Sequence, residues 1–377
     1  MYSQQELDDA IAAGVISAAD ADALRVYIDQ QRSTAIPDEE QFRLLTGFND
    51  IFVSIAAAIL LFAVGWIGQS IGQSTGLLIL DRSGSGGPGP SFLAPLAVAA
   101  TSWGLALFFT ARRRMALPSI LLLLAFVGGV LVTTGFLLVE IIGPDRFNGQ
   151  SQLLGATVGG ISAAIAAVAA WIHWRRFHVP ITVAAGAAAV AGIFVCAVVA
   201  IVQPGDSKSA MNLILGFVLL LGIGMFLFAM WWDASDRARL TRRSDVAFWL
   251  HLLAAPMIAH PIFTLLGLNN GSVSTGEGLI VVGLYILFGL TALAVDRRAL
   301  LVSALAYVLY ALTELFKRFG AVELNIALTA LIIGSALLLL SAYWHQARRL
   351  IVTRLPSNLQ DRLPTLDRPA AISQQAA

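Results

Sequence analysis

The residues with the clearest chemical potential are two histidines and two prolines in one apolar stretch, His251, Pro256, His260 and Pro261. A proline removes a backbone donor and pushes the preceding residue out of helical geometry, so this stretch is predicted to be a broken helix. Transporters bind substrates and ions at such breaks near the centre of a membrane, and ionisable residues there favour a functional role. We therefore treat all four as candidate pathway residues. The alternative is a kinked helix whose histidines bond to neighbouring carbonyl groups.

The spacing of the two histidines argues against a shared metal site. His251 and His260 are nine residues apart, which is about 900° of rotation and places them on opposite faces of a regular helix. No cysteine or carboxylate stands near them at metal-ligand spacing. A neutral histidine can instead relay protons, because its unperturbed pKa is about 6.5. The sequence predicts neither a metal nor a cofactor.

Two carboxylates extend the candidate pathway. Glu140 lies at the end of an apolar run, and Glu314 lies one helical turn before Arg318. An interior carboxylate in a membrane favours a functional role. The alternatives are interfacial exposure for Glu140 and an ion pair that reaches toward the interface for Glu314.

A polar segment that precedes the histidines is a candidate site for anionic lipid headgroups, or a gating element. The alternative is a solvated loop that only determines topology, in which Asp233 and Arg237 could pair at helical spacing. Its candidate residues are Asp233, Asp236, Arg237, Arg239, Arg242 and Arg243.

Composition indicates that membrane helices position these residues. Of 377 residues, 58% are hydrophobic and 12% are charged, which is far from the balance of a soluble domain. Backbone amides find no water in lipid, so each apolar run must be helical. The sequence predicts an all-α polytopic transmembrane bundle of about ten spans, at about 51–72, 92–111, 118–141, 152–172, 179–202, 211–232, 246–267, 278–295, 299–316 and 324–345.

Basic residues predict the orientation of these spans. Fifteen arginines stand at one set of alternating span ends and five basic residues at the other, which by the positive-inside rule places both termini in the cytoplasm. The predicted domains are a cytoplasmic helical hairpin with its linker (1–47), a transmembrane domain (48–349) and a disordered cytoplasmic tail (350–377). Ser17 with Asp20 is a predicted helix cap in the hairpin.

Several other chemistries are excluded. Gly84, Gly86 and Gly89 match a dinucleotide fingerprint by spacing, but no strand precedes them and Pro88 interrupts them. The chain has no Walker A lysine, no HExxH and no GxSxG motif. It also lacks the clustered basic and aromatic residues of a nucleic-acid surface. The single cysteine, Cys196, excludes a disulfide framework.

The hairpin with its Gly-x-Ile-Ser turn at Gly14–Ser17, followed by many spans, resembles a family of bacterial inner-membrane proteins grouped as a domain of unknown function. The Trp231–Phe263 segment resembles parts of other uncharacterised bacterial membrane proteins. The resemblance implies a bacterial inner membrane and carries no catalytic or ligand residues.

Three functions follow as hypotheses. The leading one is a permease or channel-like protein for a small solute, ion or lipid. The second is a noncatalytic scaffold or sensor, in which the N-terminal hairpin docks a cytoplasmic protein. The third is an intramembrane enzyme, which is least favoured because no nucleophile and base or metal set is recognisable.

Overall fold

The structure, a computed structural model, describes residues 48–78, 89–147, 152–267 except 206, 238 and 240, 275–318 and 325–366, with scattered residues between 11 and 23. These residues form helices and turns, without a strand among them. The helices are α1 (Phe48–Thr75), α2 (Leu93–Phe109), α3 (Ala116–Ile142), α4 (Gln152–Phe177), α5 (Ile181–Val202), α6 (Lys208–Ala234), α7 (Arg242–Leu265), α8 (Thr275–Val295), α9 (Ala299–Arg318), α10 (Asn325–Ala342), α11 (Trp344–Val352) and α12 (Ser357–Gln360), with a short 3₁₀ helix at Pro144–Phe147.

The chain is a multi-pass membrane protein, but with fewer spans than the ten predicted. In the described residues seven helices are long and apolar enough to cross a membrane, or eight if α10 and α11 form one bent span. Helix α2 has only 17 residues, which is about 26 Å of helix against a hydrocarbon core of about 30 Å. The apolar part of α9, Leu300–Tyr310, is shorter still. Each predicted run coincides with one of the helices α1 to α10, and by length and composition seven or eight of the helices qualify as spans.

Consecutive helices pack as hairpins, most extensively α4 with α5 and α6 with α7. Small residues occupy the contacts, as Ala254 and Ala255 do on α7. Large apolar side chains face outward instead: Phe62, Ile201 and Leu338 are 72%, 82% and 74% exposed. This exposed surface is suited to lipid, because its side chains are apolar and the backbone groups beneath them are hydrogen-bonded within the helices.

Among the described residues, one pair of helices that could form a single span is sharply bent, at Tyr343. Helices α10 and α11 meet there at 73°, so α11 turns under the ends of the preceding helices. The chain then continues through α12 to Leu366, with Leu363 buried against Val295 and Val352. Residues 350–366 were predicted to be disordered, and they instead fold onto the bundle because α11 supplies an apolar face for them.

Most of the predicted N-terminal hairpin lies outside the described residues. Within it, residues 19–23 are helical, and the predicted cap is present. The backbone N–H of Asp20 donates to Ser17 Oγ at 3.1 Å, and Ser17 Oγ donates to Asp20 Oδ2 at 2.6 Å. Gly14 adopts a left-handed conformation with φ of 67°, which favours glycine and ends the preceding turn.

Candidate functional site

The candidate site is a buried group of charged residues, the ion cluster, made of Asp233, His251 and Arg297 on one side and Arg239, Asp296, Trp344 and Arg348 on the other. Helices α6 and α7 supply Asp233 and His251, and the α8–α9 turn supplies Asp296 and Arg297. The α6–α7 turn supplies Arg239, and α11 supplies the remaining two. The cluster therefore joins the ends of the α6–α7 and α8–α9 hairpins to α11.

Asp233 is the centre of the first half of the cluster. Its side chain and that of His251 are fully buried, and His251 Nε2 lies 2.9 Å from Asp233 Oδ2. Arg297 approaches the same carboxylate with two nitrogens: Nη2 donates to Oδ1 at 2.5 Å and Nε donates to Oδ2 at 3.3 Å. Bidentate pairs of this kind are stronger and more directional than single hydrogen bonds.

Arg297 also ties the first half of the cluster to the start of α7. Its Nη2 donates to the carbonyl of Ser244 at 3.0 Å. Its guanidinium carbon lies 6.0 Å from the centroid of the Phe248 ring, within the range of a cation–π contact. Arg297 therefore links the α8–α9 turn to two residues of α7.

Asp296 is the centre of the second half. Arg239 Nη1 donates to Asp296 Oδ2 at 2.7 Å, and Arg239 Nη2 donates to the carbonyls of Val295 and Asp296 at 3.0 and 3.1 Å. Trp344 Nε1 donates to Asp296 Oδ1 at 2.7 Å, and Arg348 Nε lies 3.8 Å from the same oxygen. Burial is the main reason that the pKa of Arg239 is lowered, to about 10, and the nearby Asp296 and Asp233 oppose that effect.

Two residues of the cluster adopt a strained backbone conformation. Arg239 and Asp296 have φ values of 56° and 60°, in the left-handed region that residues other than glycine seldom occupy. Such strain persists where surrounding contacts determine the conformation. Here the Arg239–Asp296 ion pair connects both strained turns, so each turn holds the other in place.

Arginines beside and within the cluster hold the C-terminal segment. Arg237 donates to the carbonyls of Leu363 and Gln360 at 2.9 and 3.1 Å. Arg348 donates to the carbonyls of Pro364 and Thr365 at 2.7 and 3.3 Å. The segment is recognised through its backbone, so its position depends on these two guanidinium groups.

The cluster lies near one edge of the membrane. Exposed aromatic rings lie near helix ends on this side of the bundle, at Trp231 on α6 and Tyr343 before α11, and at Trp171 on α4. Arg175 lies over the ring of Trp171. Aromatic rings of this kind mark the membrane–water interface. His251, which the sequence analysis placed in a broken span near the bilayer centre, thus lies with its ion partners close to helix ends.

The two histidines are not brought together. His260 is exposed, and its Nδ1 lies 2.6 Å from the hydroxyl of Tyr307, which stacks on Phe263 with 4.3 Å between ring centroids. His251 instead faces Asp233. The predicted placement on opposite faces of α7 agrees with this arrangement.

The prediction that the helix carrying His251 and His260 is broken is wrong. Helix α7 runs unbroken through Pro256 and Pro261. Pro261 has no N–H to donate to Met257, four residues earlier, but α6 closes on that point: a Cβ at Gly222 would lie 2.8 Å from the Met257 carbonyl carbon and oxygen. Tight packing of the two helices therefore supports α7 where its own hydrogen bonding is weakened.

The candidate carboxylates lie apart from the cluster. Glu140 is half-buried near the end of α3, at the opposite end of the bundle. Glu314 belongs to α9, and its side chain lies outside the described part of the chain. The structure thus gives Glu140 no contact with His251.

The predicted polar loop is divided. Asp233, Arg237 and Arg239 turn inward, whereas Arg242 and Arg243 are exposed. Asp233 pairs with Arg297 and His251, so the predicted pair with Arg237 is wrong. The last candidate, Asp236, bonds to a residue five positions later: its Oδ2 accepts from the backbone N–H and the hydroxyl of Thr241 at 2.9 and 2.7 Å. These two hydrogen bonds stabilise the turn that precedes α7.

Sequence reasoning missed Asp296 and Trp344, and it treated Arg297 and Arg348 only as topology signals. One signal was available. Asp296 stands directly between an apolar run and two arginines, and a carboxylate at such a membrane edge favours an ion pair. The partners of that carboxylate, however, are distant in the chain.

Comparisons of the chain with protein-family models, curated proteins and solved structures found no match. The resemblance to a bacterial inner-membrane family therefore stays a prediction. Among the residues that the structure describes, no group of three His, Cys, Asp or Glu side chains could hold a metal ion. The geometry of the ion cluster is thus the basis for a functional proposal.

Proposed function

We propose that this chain is a permease or channel-like protein for a small solute, ion or lipid, and that the ion cluster is its gate at one membrane face. The observation that carries the proposal is the fully buried Asp233–His251–Arg297 group in a bundle of apolar helices. Charged groups are costly at such a position and favour a functional role. Their removal from water is offset only while they remain paired.

The arrangement of the cluster supports a gate. Its pairs connect separate hairpins, so loss of a pair would free one hairpin end from another. Arg297 bridges the α8–α9 turn to α6 and α7, and Arg239 bridges the α6–α7 turn to Asp296. Paired charges hold the ends together in the present arrangement, and their separation would open this face.

A flux measurement tests the proposal. The purified chain is reconstituted in phosphatidylethanolamine–phosphatidylglycerol vesicles, and passage of glycerol, of potassium ions and of a fluorescent phosphatidylethanolamine is measured. We expect at least one rate above that of protein-free vesicles, and a change of that rate in Arg297→Gln but not in Arg243→Gln, whose side chain is exposed. Three rates equal to those of empty vesicles would refute the transport function.

We further propose that the chain resides in a bacterial inner membrane with the cluster end and both termini facing the cytoplasm, an orientation that requires the short helices α2 and α9 to pass between the two faces along with the longer ones. Arginine placement supports this orientation. After Cys196→Ser, a cysteine at Arg242 should react with an impermeant maleimide only from the cytoplasmic side, and a cysteine at Gly84 only from the opposite side. Labelling of both from one side would contradict it.

A noncatalytic scaffold or sensor is the second candidate. The specific observation that favours it is that Arg237 and Arg348 hold the C-terminal segment through hydrogen bonds. In this case the cluster would only stabilise the fold and would not open. In that case Arg297→Gln would lower stability while all three fluxes stayed at the level of empty vesicles. The proposed docking of a cytoplasmic protein by the N-terminal hairpin concerns residues that lie mostly outside the described part of the chain.

A further inference from the structure

The imidazole of His251 is incompletely bonded. Its Nε2 faces Asp233 Oδ2 at 2.9 Å, while the buried Nδ1 has no hydrogen-bond partner. A neutral ring with its proton on Nε2 satisfies Asp233 and leaves Nδ1 as a bare acceptor, which costs less than a bare donor on a charged ring. Nδ1 is therefore a vacant position for one proton.

The charged groups around His251 are few. Asp233 faces it from α6, Arg297 from the α8–α9 turn and Arg239 from the α6–α7 turn. Helix α5, which also packs on α7, contains no ionisable residue except Cys196. Helix α9 contacts α7 through apolar residues and through Tyr307, which bonds to His260. Asp233 is thus the only anion that faces His251 within the described residues.

Asp233 is shared by His251 and Arg297. Arg297 occupies both of its oxygens, and His251 shares Oδ2 with Arg297 Nε. A second full positive charge on the imidazole would face the guanidinium across one carboxylate in a buried site, where like charges repel strongly. One carboxylate cannot fully offset two cations, so a charge on the imidazole weakens the attraction between Asp233 and Arg297.

We propose that Asp233 and His251 form a proton-binding site that controls the gate, an inference that rests on the proposed transport function and names the proton as its coupling ion. A proton from water binds His251 Nδ1, the Nε2–H bond to Asp233 is kept, and the imidazolium becomes the counter-ion of Asp233. Arg297 then leaves the carboxylate. No covalent bond other than Nδ1–H forms, and the charge of the site rises by one.

Release of Arg297 also affects the second half of the cluster, because Arg297 and Asp296 are adjacent in the chain. Arg297 adjoins Asp296, which holds Arg239 and Trp344. The same release weakens the contacts of the α8–α9 turn with Ser244 and Phe248. Proton binding at one buried ring therefore loosens the turn on which both halves of the cluster depend.

The test uses the purified full-length chain in nanodiscs, without any transported solute. Hydrogen–deuterium exchange of the peptide that contains residues 296–298 is measured from about pH 8 to about pH 5, with correction for the intrinsic pH dependence of exchange. Opening linked to one proton should increase the exchange rate about tenfold for each pH unit below the transition. Exchange of this peptide that stays constant over the range would overturn the proposal.

Variants localise the effect. His251→Gln should abolish the pH dependence of exchange, and His260→Gln, on the same helix but exposed, should keep it. A pH dependence that persists in His251→Gln also overturns the proposal. If that variant does not fold, the titration of His251 is followed directly by ¹³C-histidine spectra. The chain used for this has the other four histidines replaced by Gln: His173, His178, His260 and His345. Failure of His251 to titrate over the same pH range would also overturn the proposal. These readouts need no flux, so failure of the transport function would be seen separately.

Discussion

At the scale of the residue, burial decides which charges matter. Arg297 and Arg243 are both arginines at the same membrane face, but Arg297 is 3% exposed and bound to Asp233, whereas Arg243 is exposed. Removing one partner of a buried pair leaves an uncompensated charge. The two positions therefore provide a matched comparison of the same residue type.

Replacing Arg297 by Gln should lower the free energy of unfolding by about 3–5 kcal/mol, because Asp233 keeps its charge without its bidentate partner. Thermal unfolding in detergent measures the change. Arg243→Gln should leave the melting temperature nearly unchanged. The double variant Asp233→Asn with Arg297→Gln should lose less than the sum of the two single variants, since the uncompensated charge is gone. Additive losses would show that the pair does not act as a unit.

At the scale of the element, close backbone approach explains why α7 remains a helix. Two prolines predict a break from local geometry alone. Gly222 belongs to a different helix, α6, and approaches the backbone of Met257 closely. Rules based on the local sequence of α7 cannot predict this tertiary contact. The bent helix pair in the described residues, α10 and α11, has its break at Tyr343, where no proline stands.

Gly222→Ala should lower the free energy of unfolding by about 1–3 kcal/mol, because the added methyl group meets backbone atoms that cannot rotate away. Gly224, two residues later on α6, has no atom within 4 Å of its Cβ position. Gly224→Ala should therefore be neutral or stabilising by up to about 1 kcal/mol. Thermal unfolding of both variants measures the difference, and equal effects would contradict the close approach of α6 and α7.

At the scale of the whole molecule, the C-terminal segment completes the membrane face that carries the cluster. Four backbone carbonyls of the segment accept hydrogen bonds from Arg237 and Arg348. Leu363 adds apolar contact with the ends of α8 and α11. Loss of the segment would leave both guanidinium groups without these acceptors.

A chain that stops after Pro356 should lose at least about 2 kcal/mol of stability, since hydrogen bonds to charged groups contribute about 1.5–3 kcal/mol each. A chain that stops after Leu366 retains every contact named above and serves as the control. Thermal unfolding and modification of Arg348 by phenylglyoxal provide the measurements. Equal stability and equal reactivity of the two truncated chains would show that the segment does not hold the cluster.

The sequence by itself determined that this is an all-α membrane protein, where the long helices α1 to α10 lie and which helix ends are basic, but not the short helices α11 and α12. These properties are local: an apolar run needs internal hydrogen bonding in lipid whatever surrounds it. Only the tertiary structure decided which charges meet. His251, Asp296 and Arg297 find their partners 18, 57 and 64 residues away, and helix packing sets those distances. The same packing kept α7 continuous across its prolines and placed His251, but not His260, beside a carboxylate.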